Sequence, residues 1–236
     1  MDYTDMSVHY DLIMTSGYYD YDAIVDDLVQ YDANAVLEIG SGTGLILDRL
    51  ARRRPETDVT GIDLTQAMLD IAAGRLAVHD RVCLRQQNVV RLDLGEQYDL
   101  AFSYGGVWYF VPTPDGGHEM VSHIRDETEN QQGFERIAAH LPSGGVLLLG
   151  IQAPHSDYSR PVTNGMDYSQ RITPIEAGFR KDYRLSDAGR PVMLQTTDYR
   201  TYCFEDAVGL LDKCGFDHEP AGTSAAAPMF LKFTKR

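Results

Sequence analysis

Two periods alternate along the first 150 residues. Short apolar runs give way to segments in which apolar residues return every three or four positions, and each handover falls at a glycine, a proline or an acid. Ala35 to Ile39 is apolar apart from Glu38 and stops at Gly40, too short for a helix, so it reads as a strand buried on both faces. A helix follows over residues 44–54, with Leu45, Leu47 and Leu50 on one face, basic residues in its last turn and Pro55 as its stop. The same pattern predicts strands at 58–63, 82–86, 98–103 and 146–151, and helices at 66–76 and 134–141. An earlier helix is expected over 21–30, with Ile24, Val25, Leu28 and Val29 on one face. A strand–helix order repeated in this way predicts a doubly wound parallel sheet with right-handed crossovers.

Three stretches depart from that order. Residues 112–132 are polar and long, and read as an insertion forming a flap. Residues 153–203 alternate apolar and polar positions around Asp187-Ala188-Gly189-Arg190-Pro191, the signature of an antiparallel hairpin above the sheet. After a helix over 204–214, residues 216–220 and 229–234 read as a closing antiparallel pair. One domain is expected over 1–236, with an N-terminal lid over 1–20 and a lid insertion over about 153–203.

Within this frame the glycines carry the first chemical information. Glu38-x-Gly40-x-Gly42-x-Gly44 links the first strand to its helix, where free backbone N–H groups and missing side chains let a ligand approach. A dinucleotide loop would need a glycine three positions after Gly42, and Leu45 stands there, which disfavours NAD. Asp63 ends the second strand 19 positions beyond Gly44, the span of one helix and one strand, so its carboxylate lies beside the glycine loop and can accept both hydroxyls of a ribose.

Glu38, Gly40, Gly42 and Gly44, together with "GIDLTQAML" at 61–69, "YDLAFS" at 98–103 and "LPSGGVLLLG" at 141–150, resemble the motifs of the class I S-adenosylmethionine (SAM) dependent methyltransferases. The resemblance implies an α/β, Rossmann-like, seven-stranded, mostly parallel sheet with an antiparallel last strand, topped by an antiparallel β lid. It implies SAM as cofactor, S-adenosylhomocysteine (SAH) as product, and no metal. Carried over residue by residue, it assigns cofactor binding to Tyr10, Glu38, Gly40, Ser41, Gly42, Gly44, Asp63, Leu64, Met68, Asn88, Val89 and Ser103. Asn88 stands where family members commonly place an aspartate against the adenine amino group; its amide oxygen can accept that bond without charge.

The tyrosine-rich start and the aromatic loop after the fourth strand most resemble small-molecule N-methyltransferases acting on glycine or on aminosugars. Tyr10, Tyr104 and Trp108 are expected to frame the transferred methyl, with His123 as a candidate base. Tyr18, Tyr19, Trp108, Gln152, Tyr158 and Arg160 are candidates for the substrate, Arg160 as a carboxylate clamp. N-methylation needs no strong base, and none is evident; O- or C-methylation of a phenol or sugar and a non-catalytic SAM-binding protein remain alternatives.

Charge and composition narrow the partners. With 21 Lys plus Arg against 35 Asp plus Glu, the formal charge of −14 repels a phosphate backbone, so a small-molecule acceptor is expected rather than nucleic acid. No apolar run approaches membrane-spanning length. Cys83, Cys203 and Cys214 form no C-x-x-C pair and no leader opens the sequence, so a cytoplasmic protein is expected. His118 and His123, five apart, do not match helical metal-ligand spacing, and the β lid offers a face for a homo-oligomer.

Overall fold

The computed structural model describes residues 3–220 and 228–236. Two helices open the chain, α1 (Thr4–Thr15) and α2 (Tyr21–Leu28), the second capped by Asp20, whose side chain accepts the Ala23 N–H. Then come β1 (Ala35–Ile39), α3 (Leu45–Arg53), β2 (Asp58–Asp63), α4 (Gln66–Leu76) and β3 (Val82–Gln86). After β4 (Leu100–Ser103), β5 (Trp108–Pro112) and β6 (His118–Ser122) precede α5 (Glu127–Ala139) and β7 (Val146–Gly150). Four further strands follow, β8 (Tyr158–Pro161), β9 (Asp167–Ile175), β10 (Gly178–Asp187) and β11 (Arg190–Cys203), and α6 (Phe204–Lys213), β12 (Phe216–Glu219) and β13 (Phe230–Lys235) end the chain.

The first sheet has seven strands in the order β12-β13-β7-β4-β1-β2-β3. From β7 to β3 the pairs are parallel, while β13 runs antiparallel between β7 and β12. This is the sheet expected from the sequence, and its apolar runs explain it. Val36, Leu37, Ile39, Ala101, Phe102, Leu147, Leu148 and Leu149 are all buried, as strands covered on both faces require. Strand order reverses beside β1, and ligands of open α/β sheets sit beyond the carboxyl ends of strands at such a point.

The second sheet is antiparallel, with six strands in the order β5-β6-β11-β10-β9-β8. It corrects two expectations. Residues 112–132 are not a free flap: Trp108 to Pro112 pair with His118 to Ser122 as a hairpin at the edge of this sheet. The run Val107-Trp108-Tyr109-Phe110-Val111 is a strand-forming sequence, so the aromatic segment after β4 extends into the second sheet instead of looping over the first. The helix expected at 134–141 also begins about two turns earlier, at Glu127, because Asp126 caps it by accepting the Glu129 N–H at 2.9 Å. The sheets meet where Phe110 bridges Ile151 and the Gln152 N–H donates to the Phe110 carbonyl at 2.8 Å. Among the described residues no helix is long and apolar enough to cross a membrane.

Candidate active site

A cleft of about 1090 Å³, its mouth included, lies between the carboxyl ends of β1, β2 and β4, the helix α1 and the inner face of the second sheet.

One end is built from the glycine loop. The N–H groups of Gly40 and Ser41 both donate to the Ile62 carbonyl, at 2.8 and 2.9 Å, which folds the loop back against the end of β2. Gly40 has φ of +77°, and a Cβ there would lie 2.8 Å from the Gly106 Cα, so two backbone segments touch where the cleft begins. Asp63 ties the floor together: its Oδ2 accepts the Gly42 N–H and its Oδ1 the Thr65 N–H, both at 2.8 Å. Each oxygen keeps lone-pair capacity for a ligand hydroxyl. Leu64, Met68, Asn88 and Val89 continue this wall, and Tyr10 faces Gly42 across it. Asn88 Oδ1 accepts the Val90 N–H at 3.0 Å and so caps the turn that holds Val89 in the cleft.

α1 is held over this end by a polar strap. Thr43 Oγ1 donates to Asp11 Oδ1 at 2.6 Å, and Arg75 reaches both the Asp11 carboxylate and the Thr43 carbonyl. The Tyr3 N–H donates to Thr65 Oγ1 at 3.2 Å.

The other end is aromatic and basic. Tyr18, Tyr19, Tyr109, His123, Gln152, His155, Lys181, Tyr183 and Tyr199 line it. Tyr19 donates to Gln152 Oε1 at 3.0 Å; the Tyr3, Tyr183 and Tyr199 hydroxyls form a chain with steps of 3.1 and 2.5 Å. Burial pushes all these tyrosine hydroxyls above their ordinary range, so they stay protonated. Burial, with the Lys181 charge adding to it, lowers His123 and His155 to about 3, leaving both imidazoles neutral.

The structure therefore gathers Tyr10, Tyr18, Tyr19, Gly40, Gly42, Asp63, Leu64, Met68, Asn88, Val89, His123 and Gln152 around one cleft. It puts the other candidates elsewhere. Trp108 belongs to the core, stacked on Phe134 at a centroid distance of 4.1 Å, with its indole N–H donating to Asn130 Oδ1 at 2.7 Å. Tyr104 packs on Gly150 and Phe230 and donates to the Ile151 carbonyl at 3.1 Å. Neither lines the cleft. Ser103 lies beneath the cleft, where its Oγ accepts the Trp108 N–H at 3.4 Å. Ser41 turns toward Gly61, and Gly44, the N-cap of α3, packs on Leu76. Arg160 lies outside, donating to the Gly17 carbonyl at 3.2 Å with its guanidinium over the rings of Tyr18 and Tyr158. His123 sits at the end of β6, not on a solvent-facing flap, and at about 3 it is too weak a base to take a proton from an alcohol near neutral pH.

Several lining residues escaped the sequence reading: Tyr3, Thr65, Gly106, Tyr109, His155, Lys181, Tyr183 and Tyr199. A signal existed for one group. Phe179, Lys181, Tyr183 and Leu185 alternate as the buried face of β10, so a lysine stands in an otherwise apolar row.

Glu38 is only 2% exposed, does not line the cleft, and its Oε2 has no hydrogen-bond partner among the described residues. Burial and then the charge of Asp63 raise its carboxyl well above the usual range. Between the unfolded and folded values the native state holds the extra proton, so this group's contribution to stability falls as pH rises through that window. Glu38→Gln removes the titration, and the variant is expected to gain on the wild type in thermal unfolding from pH 5 to 8. A difference in Tm that does not move with pH would contradict a buried, protonated Glu38.

The methyltransferase domain family matches residues 36–145, from β1 to the turn before β7. Ribosomal RNA small subunit methyltransferase A of Bacillus pumilus is 31% identical over 66% of this chain and 49% of its own length. The chain spans between 24% and 49% of the length of the curated relatives it matches. Among solved structures, CalS10 of Micromonospora echinaspora, an amino pentose methyltransferase, superposes with a TM-score of 0.70 at 20% identity, over 97% of this chain and 95% of that one. KedS8 from a Streptoalloteichus species, a sugar N-methyltransferase, superposes with a TM-score of 0.64 at 20% identity, over 96% and 92%. Residues 36–145 thus match the methyltransferase domain family, and the seven-stranded sheet with its antiparallel β13 has the fold of the methyltransferases on which the chain superposes.

Proposed function

We propose that the chain is a SAM-dependent methyltransferase that acts on a small amine. The observation that carries this reading is the division of one cleft into two unlike ends, a glycine and aspartate cradle at the first and a ring of tyrosines with neutral histidines at the second. The cradle fits SAM: Asp63 would accept from the ribose hydroxyls, Gly40, Gly42 and Gly106 leave their backbone open, Leu64 and Met68 would flank the adenine, and Tyr10 would close over the methionine part. When bound, SAM supplies an already activated methyl sulfonium.

What remains for this chain's residues is to align an acceptor and exclude water. α1, strapped through Asp11, Thr43 and Arg75, and strands β8–β11 serve that end as lids in this reading. A small, enclosed acceptor end in a protein of charge −14 favours a small molecule over RNA. An amine attacks in its neutral form and its proton leaves afterwards, so the protonated tyrosines and weak imidazoles are no handicap. The N-methylating and aminosugar-modifying neighbours support the same acceptor atom.

O-methylation keeps one observation in its favour. Lys181, lowered by burial to about 7, is a group able to take a proton from a hydroxyl near neutral pH. The test is transfer of an isotopically labelled methyl from SAM to a panel of amino acids, aminosugars and phenols of similar size. Label on amines alone is the expected result. Label on phenols alone would replace the amine by a hydroxyl, and no transfer to any class, with SAM bound, would leave a SAM-binding protein without transferase activity.

A further inference from the structure

Lys181 is the one lysine or arginine among the described residues lining the cleft, and Asp63, at the glycine end, is the one carboxylate. Lys181 is 1% exposed and takes part in no ion pair among the described residues. Its Nζ donates to the Tyr18 hydroxyl at 2.8 Å and lies 3.5 Å from His155 Nδ1, whose Nε2 is 2.8 Å from the Tyr109 hydroxyl. Two of three ammonium hydrogens thus meet neutral partners, and the third has no acceptor among the described residues. The rings of Tyr183 and Tyr18 face the nitrogen at 4.6 and 5.5 Å from their centroids, an arrangement that favours a cation.

A buried amine without a counter-ion is costly, and burial accordingly lowers Lys181 to about 7. A leucine would fill the same row of β10 at no such cost. At the same end of the cleft Gln152 presents a second unused donor, its buried Nε2. The titratable groups that face this end are the neutral His155 and His123, the protonated Tyr3, Tyr18, Tyr19, Tyr109, Tyr183 and Tyr199, and Lys181 itself.

We propose that the methyl acceptor is an acid: it carries a carboxylate or phosphate that pairs with Lys181 and takes the Gln152 amide as a second donor. The proposal rests on the cleft being a SAM-dependent methyl-transfer site, and it names the substrate class of that site. The anion completes the Lys181 shell and holds the amine charged, which removes Lys181 from the list of bases. An uncharged amine acceptor forfeits that pairing.

The test uses the whole protein saturated with SAH, titrated calorimetrically at pH 8 with benzoate, phenyl phosphate, benzamide and benzylamine. Benzoate or phenyl phosphate is expected to bind at least about tenfold more tightly than the amide and the amine, as a charge-assisted hydrogen bond to a buried cation requires. Which of the two wins distinguishes a carboxylate acceptor from a phosphate. Repeating the titration in buffers of different ionisation enthalpy is expected to show uptake of close to one proton, because a lysine at about 7 is mostly neutral at pH 8 and is charged in the complex.

Lys181→Met is expected to lose both the preference and the proton uptake while binding SAH within about twofold of wild type; the wild-type proton count stands even if this variant does not fold. Equal binding of benzamide or benzylamine, binding of none of the four, or anion binding without proton uptake overturns the proposal. If SAH itself does not bind, the methyltransferase reading has failed, and this one falls with it.

Discussion

Asp63→Ala is expected to weaken binding of both SAM and SAH by about 10²- to 10⁴-fold, read by calorimetric titration. In the proposed reading the carboxylate would offer each ribose hydroxyl a charge-assisted hydrogen bond, worth about 1.5–3 kcal/mol apiece. The same two oxygens fasten the Gly42 and Thr65 N–H groups, so alanine also frees the floor of the cleft. Asp63→Asn keeps one acceptor oxygen and turns a donor toward the other backbone N–H, and its loss should lie between wild type and alanine. Retention of SAM binding by Asp63→Ala within about threefold would mean that the ribose is held elsewhere.

The largest effect on the fold is expected from Gly40→Ala. The φ of +77° costs a residue with a side chain about 1–2 kcal/mol. The new Cβ would also sit 2.8 Å from Gly106 Cα and 3.3 Å from the Val107 N, backbone atoms that cannot rotate away, for about 1–3 kcal/mol more. At roughly 2–4 °C per kcal/mol for a chain of this size, Tm should fall by about 5–20 °C, with the cleft deformed where it begins. Gly74→Ala is the control. It lies within α4 with nothing within 4 Å of its Cβ position, and should raise stability by up to about 1 kcal/mol. Equal Tm changes in the two variants would show that Gly106 does not approach Gly40 as described.

The cofactor end was legible in the sequence because its signals are local. A glycine loop, an acid at the end of the next strand and a methionine one turn into the next helix lie within 31 residues of one another, and chain geometry alone brings them together. The closing strands β12 and β13 were legible for a related reason, since an interrupted pair of short apolar runs after a helix has few ways to join an existing sheet. The acceptor end was not. Its residues come from six separate segments, and which of them reach the cleft depends on how the second sheet folds over the first.

Trp108 shows how this misleads. Its place just past β4 suggested a ligand-facing loop, but pairing of β5 with β6 turned it inward to Asn130, and the next residue, Tyr109, faces the cleft instead. Arg160 and Lys181 make the same point for charge. The sequence offered Arg160 as the cation for a carboxylate because it follows β7 closely. The structure leaves it on the outer side of Tyr18 and brings Lys181 in from β10, 21 residues later, through the alternation of buried and exposed positions along that strand.

The central claim is that the cleft is built for SAM, and the most direct test is calorimetric titration of the wild-type chain with SAM, SAH and NAD in parallel. The account predicts that SAM and SAH each bind with one molecule per chain and compete with one another, while NAD gives no heat of binding. Binding of NAD, or the absence of binding by both SAM and SAH, would contradict it.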